Sequence, residues 1–237
     1  MKSIAQRSCN TILMMRFTTM IAAVFALSAC SSAPVVNYYA LNTQGAVLTD
    51  SKVRVIEVLP VSLPDRINRV PIVVQDLNGK IKILENERWT STLAAELRDN
   101  LSAGLQQQLG AVDRYNSGMV GGKVAYRIAS DFSHFDIIHN PNAQQQIEVA
   151  VAWIVKRNDP NTSLEKNTTQ HQQLTCRMHF TQSVSPPQQD QPPQHHQMQD
   201  TISGANIALN RVVNAMALSI VAFDAQKTAP LTEGNCS

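Results

Sequence analysis

Residues 53–109, VRVIEVLPVSLPDRINRVPIVVQDLNGKIKILENERWTSTLAAELRDNLSAGLQQQL, hold the most regular patterning in the chain. Three β-patterned runs, Val53–Leu59, Val70–Gln75 and Lys80–Leu84, precede Glu87-Arg88-Trp89. Leu93, Leu97, Leu101, Leu105 and Leu109 then recur every four positions. That period draws one apolar stripe along a helix, and such a stripe must lie on another element to leave water. The strand-patterned runs just before it supply that element. Asn78-Gly79 between the second and third runs is a tight-turn pair and predicts a hairpin. Pro71 heads its strand, where a missing amide donor is tolerated. Lys80 and Lys82 alternate with Ile81 and Ile83, so one face of the third run is expected to meet water. Val53–Leu59 is apolar on both faces, as a central strand would be. Thr90 or Ser91 is expected to cap the helix and Gly110 to stop it, with Glu96, Arg98, Asp99, Asn100 and Gln106–Gln108 on its polar face.

Working outward, Asn37–Leu41 suits an opening strand. Lys123–Ile138 and Gln145–Val155 alternate and flank Asn140-Pro141-Asn142, which predicts a second antiparallel hairpin, and Gln172–Ser183 reads as a further strand. Residues 185–198 are rich in Pro, Gln and His with almost nothing apolar to bury, and are expected to form a disordered loop. A second helix is predicted from about Thr201 to Phe223, with Ile202, Leu209, Val212, Val213, Met216 and Ile220 on one side and Asn206, Asn210 and Asn214 on the other. Residues 227–237 read as a tail. The order of strands, helix, strands, helix predicts an α+β fold: a single domain, residues 37–226, with a mainly antiparallel sheet and two amphipathic helices packed on one face.

With 43% hydrophobic and 16% charged residues the chain can build a core. Its formal charge of +2 comes from the N-terminal segment: Lys2, Arg7 and Arg16 precede Cys30, and no acid precedes Asp50. Beyond residue 29, 17 basic residues face 18 acidic ones. That balance is no footprint for nucleic acid, and an aromatic content of 5% offers little for base stacking. Residues 1–29 read as an export signal, with those three cations ahead of the apolar run Met20–Leu27, which is too short to span a bilayer; Met14 or Met15 is an alternative start. The run leads into Leu27-Ser28-Ala29-Cys30, which resembles a bacterial lipobox. That likeness implies acylation of Cys30, a tether over residues 30–36 and, because Ser31 is not Asp, an outer-membrane address facing the periplasm. Cys176 and Cys236 are then the remaining thiols, and either they pair or Cys176 is buried beside a loose Cys236.

Catalytic groupings are thin. His134 and Asp136 share a strand face with His139 beyond, without a third or fourth metal ligand, and read as a solvated strand end. His195-His196 lies in the low-complexity run. There is no Gly-x-Ser-x-Gly elbow, Cys176 lacks a neighbouring base in sequence, and Gly121-Gly122 precedes a strand, the wrong context for a phosphate loop. No cofactor is expected. Trp89, at a strand-to-helix junction, is expected to plug the core beneath the helix; Arg88 either pairs with Glu85 or projects as an interface anchor.

The chain resembles the auxiliary lipoproteins of ABC-type transport systems, a family represented by paraquat-inducible protein C. The likeness rests on the lipobox, Tyr38-Tyr39-Ala40-Leu41, Val53–Pro60, Asp65-Arg66, Ile72–Gln75 and Glu87-Arg88-Trp89. It continues through a leucine-rich helix bearing Arg98 and Asn100, and Phe135 and Ala152-Trp153. The resemblance implies a non-enzymatic outer-membrane lipoprotein that supports envelope integrity. It would work beside a mammalian-cell-entry-domain needle protein, similar to paraquat-inducible protein B, in lipid transport between the membranes, with self-association into a homo-oligomeric ring. Asp65, Arg66, Glu87, Arg88 and Trp89 are the expected structural or docking residues. A structural envelope lipoprotein without a transport role, or a periplasmic hydrolase, is the alternative.

Overall fold

The computed structural model describes residues 35–115, 124–139, 144–160, 173–184 and 193–237. Cys30, the turn at Asn140–Asn142 and residues 185–192 lie outside them. The chain divides into Met1–Val35 and Val36–Ser237, and the fold below is that of the second unit. Its elements are β1 (Asn37–Tyr39), β2 (Val55–Val58), β3 (Pro71–Asp76), β4 (Ile81–Trp89), α1 (Leu93–Leu109), β5 (Val112–Asp113), β6 (Ala125–His139), β7 (Gln146–Asn158), β8 (Gln173–Ser183), α2 (Pro193–Asp224) and β9 (Gly234–Cys236).

The architecture is α+β, as expected, but the sheet is mixed. Its order is β1-β4-β3-β6-β7-β8-β9, with β2 joining both β6 and β5. The long β6-β7-β8 meander and the β3-β4 hairpin are antiparallel, while β1-β4, β2-β5, β2-β6 and β3-β6 are parallel. Two of the parallel pairs, β2-β6 and β3-β6, arise along the outer edge of β6. β2 takes Tyr126–Ile128 and β3 takes Ile137–His139. Between them the β2–β3 connection supplies the hydrogen bonds: Ser62 N donates to Ser130 O at 3.0 Å, and Phe132 N to Ser62 O at 3.0 Å. Here the β6–β7 register shifts between Phe132 and His134, the mark of a β-bulge.

Both helices cover one face. Leu97, Leu101 and Leu105 are fully buried with Ile56, Val58, Ile128 and Phe132; each such side chain contributes about 1.5–3 kcal/mol relative to exposure. At Gly104 a Cβ would stand 2.7 Å from Val213 Cγ1 of α2, so the close helix contact requires glycine. Residues 41–51 run as an extended strap over the two helices. Asn206 and Asn210 Oδ1 each accept a backbone N–H from it at 2.9 Å, from Asn42 and Gln44, while Thr43 Oγ1 donates to Asn100 O at 3.1 Å and Leu48 N to Gln108 O at 2.8 Å. Two of the three asparagines expected on a free polar face therefore hold the strap, while Asn214 is exposed as expected. Met198–Asp224 is long and apolar enough to cross a bilayer, yet Leu209, Val212, Val213, Met216 and Ile220 are fully buried in the core.

Several boundaries differ from the sequence reading. The third run does not end at Leu84 but continues as β4 to Trp89: Glu85–Glu87 bulge out, the register jumping from Ile72 opposite Leu84 to Pro71 opposite Arg88. The N-cap is Thr92 and makes no side-chain cap bond. The hydroxyls of Thr90 and Ser91 turn instead to Glu96, which is buried rather than on the polar face and also accepts Leu41 N at 3.2 Å. Gly110 does stop α1, in the left-handed conformation (φ 62°). α2 begins at Pro193, so residues 193–198 are helical and not loop; proline suits a first helical position, which composition alone hides. In β4 both Ile81 and Ile83 are exposed along with the lysines, so neither face of that stretch is covered.

The expected tail holds β9, which pairs with β8 and is fastened by a Cys176–Cys236 disulfide across 60 residues of sequence. A loop of that length restricts the unfolded chain by about 4 kcal/mol in the loop-entropy treatment. Cys236→Ser is expected to lower the unfolding free energy by about that amount. Urea titration checks it: coincident curves for wild type and variant without reductant would contradict the bond's contribution.

Candidate functional site

The β-bulge in β6 decides where its polar side chains point. Beyond it His134 stands opposite Ala150 and Asp136 opposite Glu148, on the face of the sheet that carries no helix. The β2–β3 connection then brings Arg66 over them. Arg66 Nη2 donates to Asp136 Oδ2 at 2.8 Å, and His134 Nδ1 lies 2.9 Å from the same oxygen. Asp136 is buried beneath this pair, whereas the His134 side chain is 42% exposed. The third group beside His134 and Asp136 is thus an arginine, which neutralises the carboxylate and braces the connection against β6. The expected solvated strand end is instead a half-buried ion pair built on a buried Asp136. Among the described residues no group of three or more His, Cys, Asp or Glu is placed to hold a metal ion.

Two further clusters were not foreseen as sites. Glu57 of β2 lies buried between Arg114 Nε and Arg127 Nε, each 2.8 Å from one carboxylate oxygen. Burial works to raise its pKa, but the paired hydrogen bonds and charges of the two arginines outweigh it and hold the carboxyl below its usual 4.5. Asp113 of β5 accepts Arg98 Nη2 at 2.8 Å, Ser102 Oγ at 2.7 Å and Val58 N at 3.2 Å, tying α1 to β2 and β5. The signal that could have found Glu57 is an acid inside a strand otherwise patterned for full burial; its partners were invisible because they lie 57 and 70 positions away.

The remaining expected residues divide between the core and the surface. Trp89 is 2% exposed and plugs the core, as expected. Arg88 Nε donates to the carbonyl of Glu85 at 2.8 Å and closes the bulge, so it bonds that residue's backbone rather than its carboxylate. Glu87 accepts Asn37 Nδ2 at 3.0 Å, which fastens β1. Burial of Tyr39, with the Glu87 carboxylate beside it, pushes the phenol up to about 12. Asp65 is exposed. Arg66 bonds Ser133 and Asp136, whereas Glu87 and Arg88 bond Asn37 and Glu85, so the expected residues serve two separate places in the fold. On the helix-free face Ala150 and Ala152 floor a groove of about 440 Å3, walled by Asp131, Arg177, His179 and Glu233. Small side chains in the middle of a strand flanked by long polar ones produce this concavity.

The family model described as ABC-type transport auxiliary lipoprotein component matches residues 39–217. Among solved structures, a Xanthomonas campestris protein of family DUF330 is similar with a TM-score of 0.58 at 12% identity, over 80% of this chain and 98% of its own. An uncharacterized protein aligns with a TM-score of 0.53 at 16% identity, over 78% and 99%. At such identity these two show the fold alone. No match is found among curated proteins.

The charge on Glu57 carries a pH signature. Because its folded pKa lies below the unfolded 4.5, its contribution is fully present above that value and is lost as the pH falls through the lowered folded pKa. Stability of wild type is therefore expected to drop between neutral pH and acid more steeply than that of Glu57→Gln. Denaturation midpoints between pH 6 and pH 3, about the window in which a carboxylate of this kind titrates, read the difference; parallel profiles would contradict it.

Proposed function

The chain belongs to the ABC-type transport auxiliary lipoprotein family, and from that membership we propose a non-enzymatic accessory lipoprotein. It is held on the periplasmic face of the outer membrane by acyl chains on Cys30. It assists a mammalian-cell-entry-type system that moves lipid between the two membranes and so supports envelope integrity. The observation that carries this reading is the family match over 39–217 directly behind the lipobox Leu27-Ser28-Ala29-Cys30.

The mechanism is geometric. Acyl chains contribute about 0.8 kcal/mol per buried CH2, so a multiply acylated cysteine holds the domain at the bilayer almost irreversibly. The folded body then offers a surface to the tip of a needle protein, and copies of it assemble into a ring. Supporting a docking surface is the helix-free face, where a groove of mixed charge lies over Ala150 and Ala152 beside the braced Arg66–Asp136 pair. Asp65 and Arg66 are the contact residues in this reading. Glu87, Arg88 and Trp89 act behind them as organisers of the β1–β4 edge.

Two measurements test it. Cells fed an alkyne fatty acid are expected to label the wild-type chain and not Cys30→Ala, and the wild-type label is expected in the outer-membrane fraction. Crosslinking followed by purification from solubilised envelopes is expected to recover a mammalian-cell-entry-domain protein, with recovery reduced several-fold by Arg66→Glu. Recovery of the chain alone under all crosslinking conditions would overturn the transport reading in favour of a purely structural lipoprotein.

A further inference from the structure

β1 and β4 run parallel, with Asn37 opposite Glu87 and Tyr39 opposite Trp89. The chain therefore enters β1 from the side on which β4 begins, where the turn of the β3–β4 hairpin lies. From Glu87 back to Ile81 is about 20 Å, at ~3.4 Å per residue. Cys30 precedes Asn37 by seven residues, a reach of at most about 25 Å at ~3.5 Å per residue. A membrane anchor at Cys30 thus brings the bilayer within reach of the hairpin turn.

That turn presents apolar side chains to water. Leu77 is 65% exposed, Ile81 40% and Ile83 38%, with Lys80 and Lys82 exposed among them. None of the five shapes the turn. Asp76 does so, its Oδ1 accepting Asn78 N at 2.9 Å and Lys80 N at 2.8 Å while its own N–H donates to Lys80 O at 3.0 Å. Gly79 supplies the positive φ of 80° that the reversal needs. The one acid in the turn faces the backbone, and with Lys80 and Lys82 against it the tip stays net cationic. Apolar side chains interleaved with cations are what the headgroup layer of an anionic bilayer receives.

We infer that the tip of the β3–β4 hairpin is a second membrane contact, in which Leu77, Ile81 and Ile83 enter the interfacial layer of the bilayer that holds Cys30 while Lys80 and Lys82 meet anionic headgroups. The inference rests on acylation of Cys30. Three apolar side chains are too few to anchor a domain by themselves, so the contact orients rather than retains. It stops the body swinging on its tether and fixes the direction in which the helix-free face is presented.

The test uses the full chain, exported, purified in detergent and reconstituted into phosphatidylethanolamine vesicles with and without phosphatidylglycerol. Leu77→Cys, Ile83→Cys and, as a reference on α2, Ile207→Cys each carry an environment-sensitive fluorophore; Ile207 is 47% exposed. Cys176 and Cys236 are paired, Cys9 leaves with residues 1–29 when Cys30 is acylated, and Cys30 itself is blocked, so the added thiol is the one that labels. Probes at 77 and 83 are expected to shift to the blue and to be quenched by spin-labelled lipid several-fold more than the probe at 207. Lys80→Glu with Lys82→Glu is expected to weaken that quenching and abolish its dependence on phosphatidylglycerol. Equal quenching at all three positions overturns the contact. So does a blue shift at 77 and 83 without lipid quenching, which would mean that a second copy of the chain covers the tip. The mass of the purified chain reads the anchor separately: an unacylated Cys30 overturns the anchor and this contact with it, whereas an acylated chain whose probes read alike overturns the contact alone.

Discussion

The outer edge of β6 is the constraint from which most of this structure follows. Buried backbone groups need partners, and β6 runs from Ala125 to His139, longer than either strand beside that edge. The edge is therefore shared: β2 at one end, β3 at the other, and Ser62 bridging to Asp131 between. Sharing forces the β2–β3 connection to travel along β6, which carries Arg66 to Asp136. It also coincides with the bulge that turns His134 and Asp136 to the helix-free face. The ion pair is thus a product of topology, and its arginine and acid come from segments that only this arrangement brings together.

Charge is used in the same way on β2. The carboxylates of Glu57 and Asp113 are both buried, Glu57 matched by Arg114 and Arg127 and Asp113 by Arg98 of α1. Buried pairs of this kind add little net stability over apolar residues of similar size, but removing one partner leaves an uncompensated charge, commonly a cost of about 3–5 kcal/mol. Their value is in register: β2 can slide along β6 only by parting Glu57 from Arg127. The apolar layer has its own version of the constraint at Gly104, where any side chain would run into Val213 of the facing helix.

What was legible in the sequence was whatever repeats at short range. The leucine stripe of α1, the Asn78-Gly79 turn, the stop at Gly110 and the alternation of β6 and β7 are all local patterns, and the structure carries each of them. Illegible were features set by distant partners. Glu96 reads as one more charge on a polar helix face until Thr90, Ser91 and Leu41 N are found around it. Asn206 and Asn210 read as solvated because nothing nearby tells that residues 42–44 will cross above them. The parallel pairings escaped for the same reason, since a hairpin announces itself by its turn and a parallel pair has none. Of the expected site residues, Trp89 could be placed in the core from its position, but the union of Arg66 with Asp136 spans 70 residues and leaves no trace in either segment.

The pairing of β9 with β8 has a bearing on where the fold can be completed. Among the described residues Gly234–Cys236 pair with that edge and Glu233 and Ser237 extend the contact by backbone bonds to His179 and Thr175, with Gly234 pressed so closely on the Arg177 carbonyl that a side chain there would clash with it. So short a strand gains much from the sulfur bridge, and reducing compartments keep such thiols apart. The last edge of the sheet is thus fastened only where oxidants are supplied. If the chain is exported, as proposed, it would cross the membrane with that edge still open, and closure on the far side would make the return unfavourable.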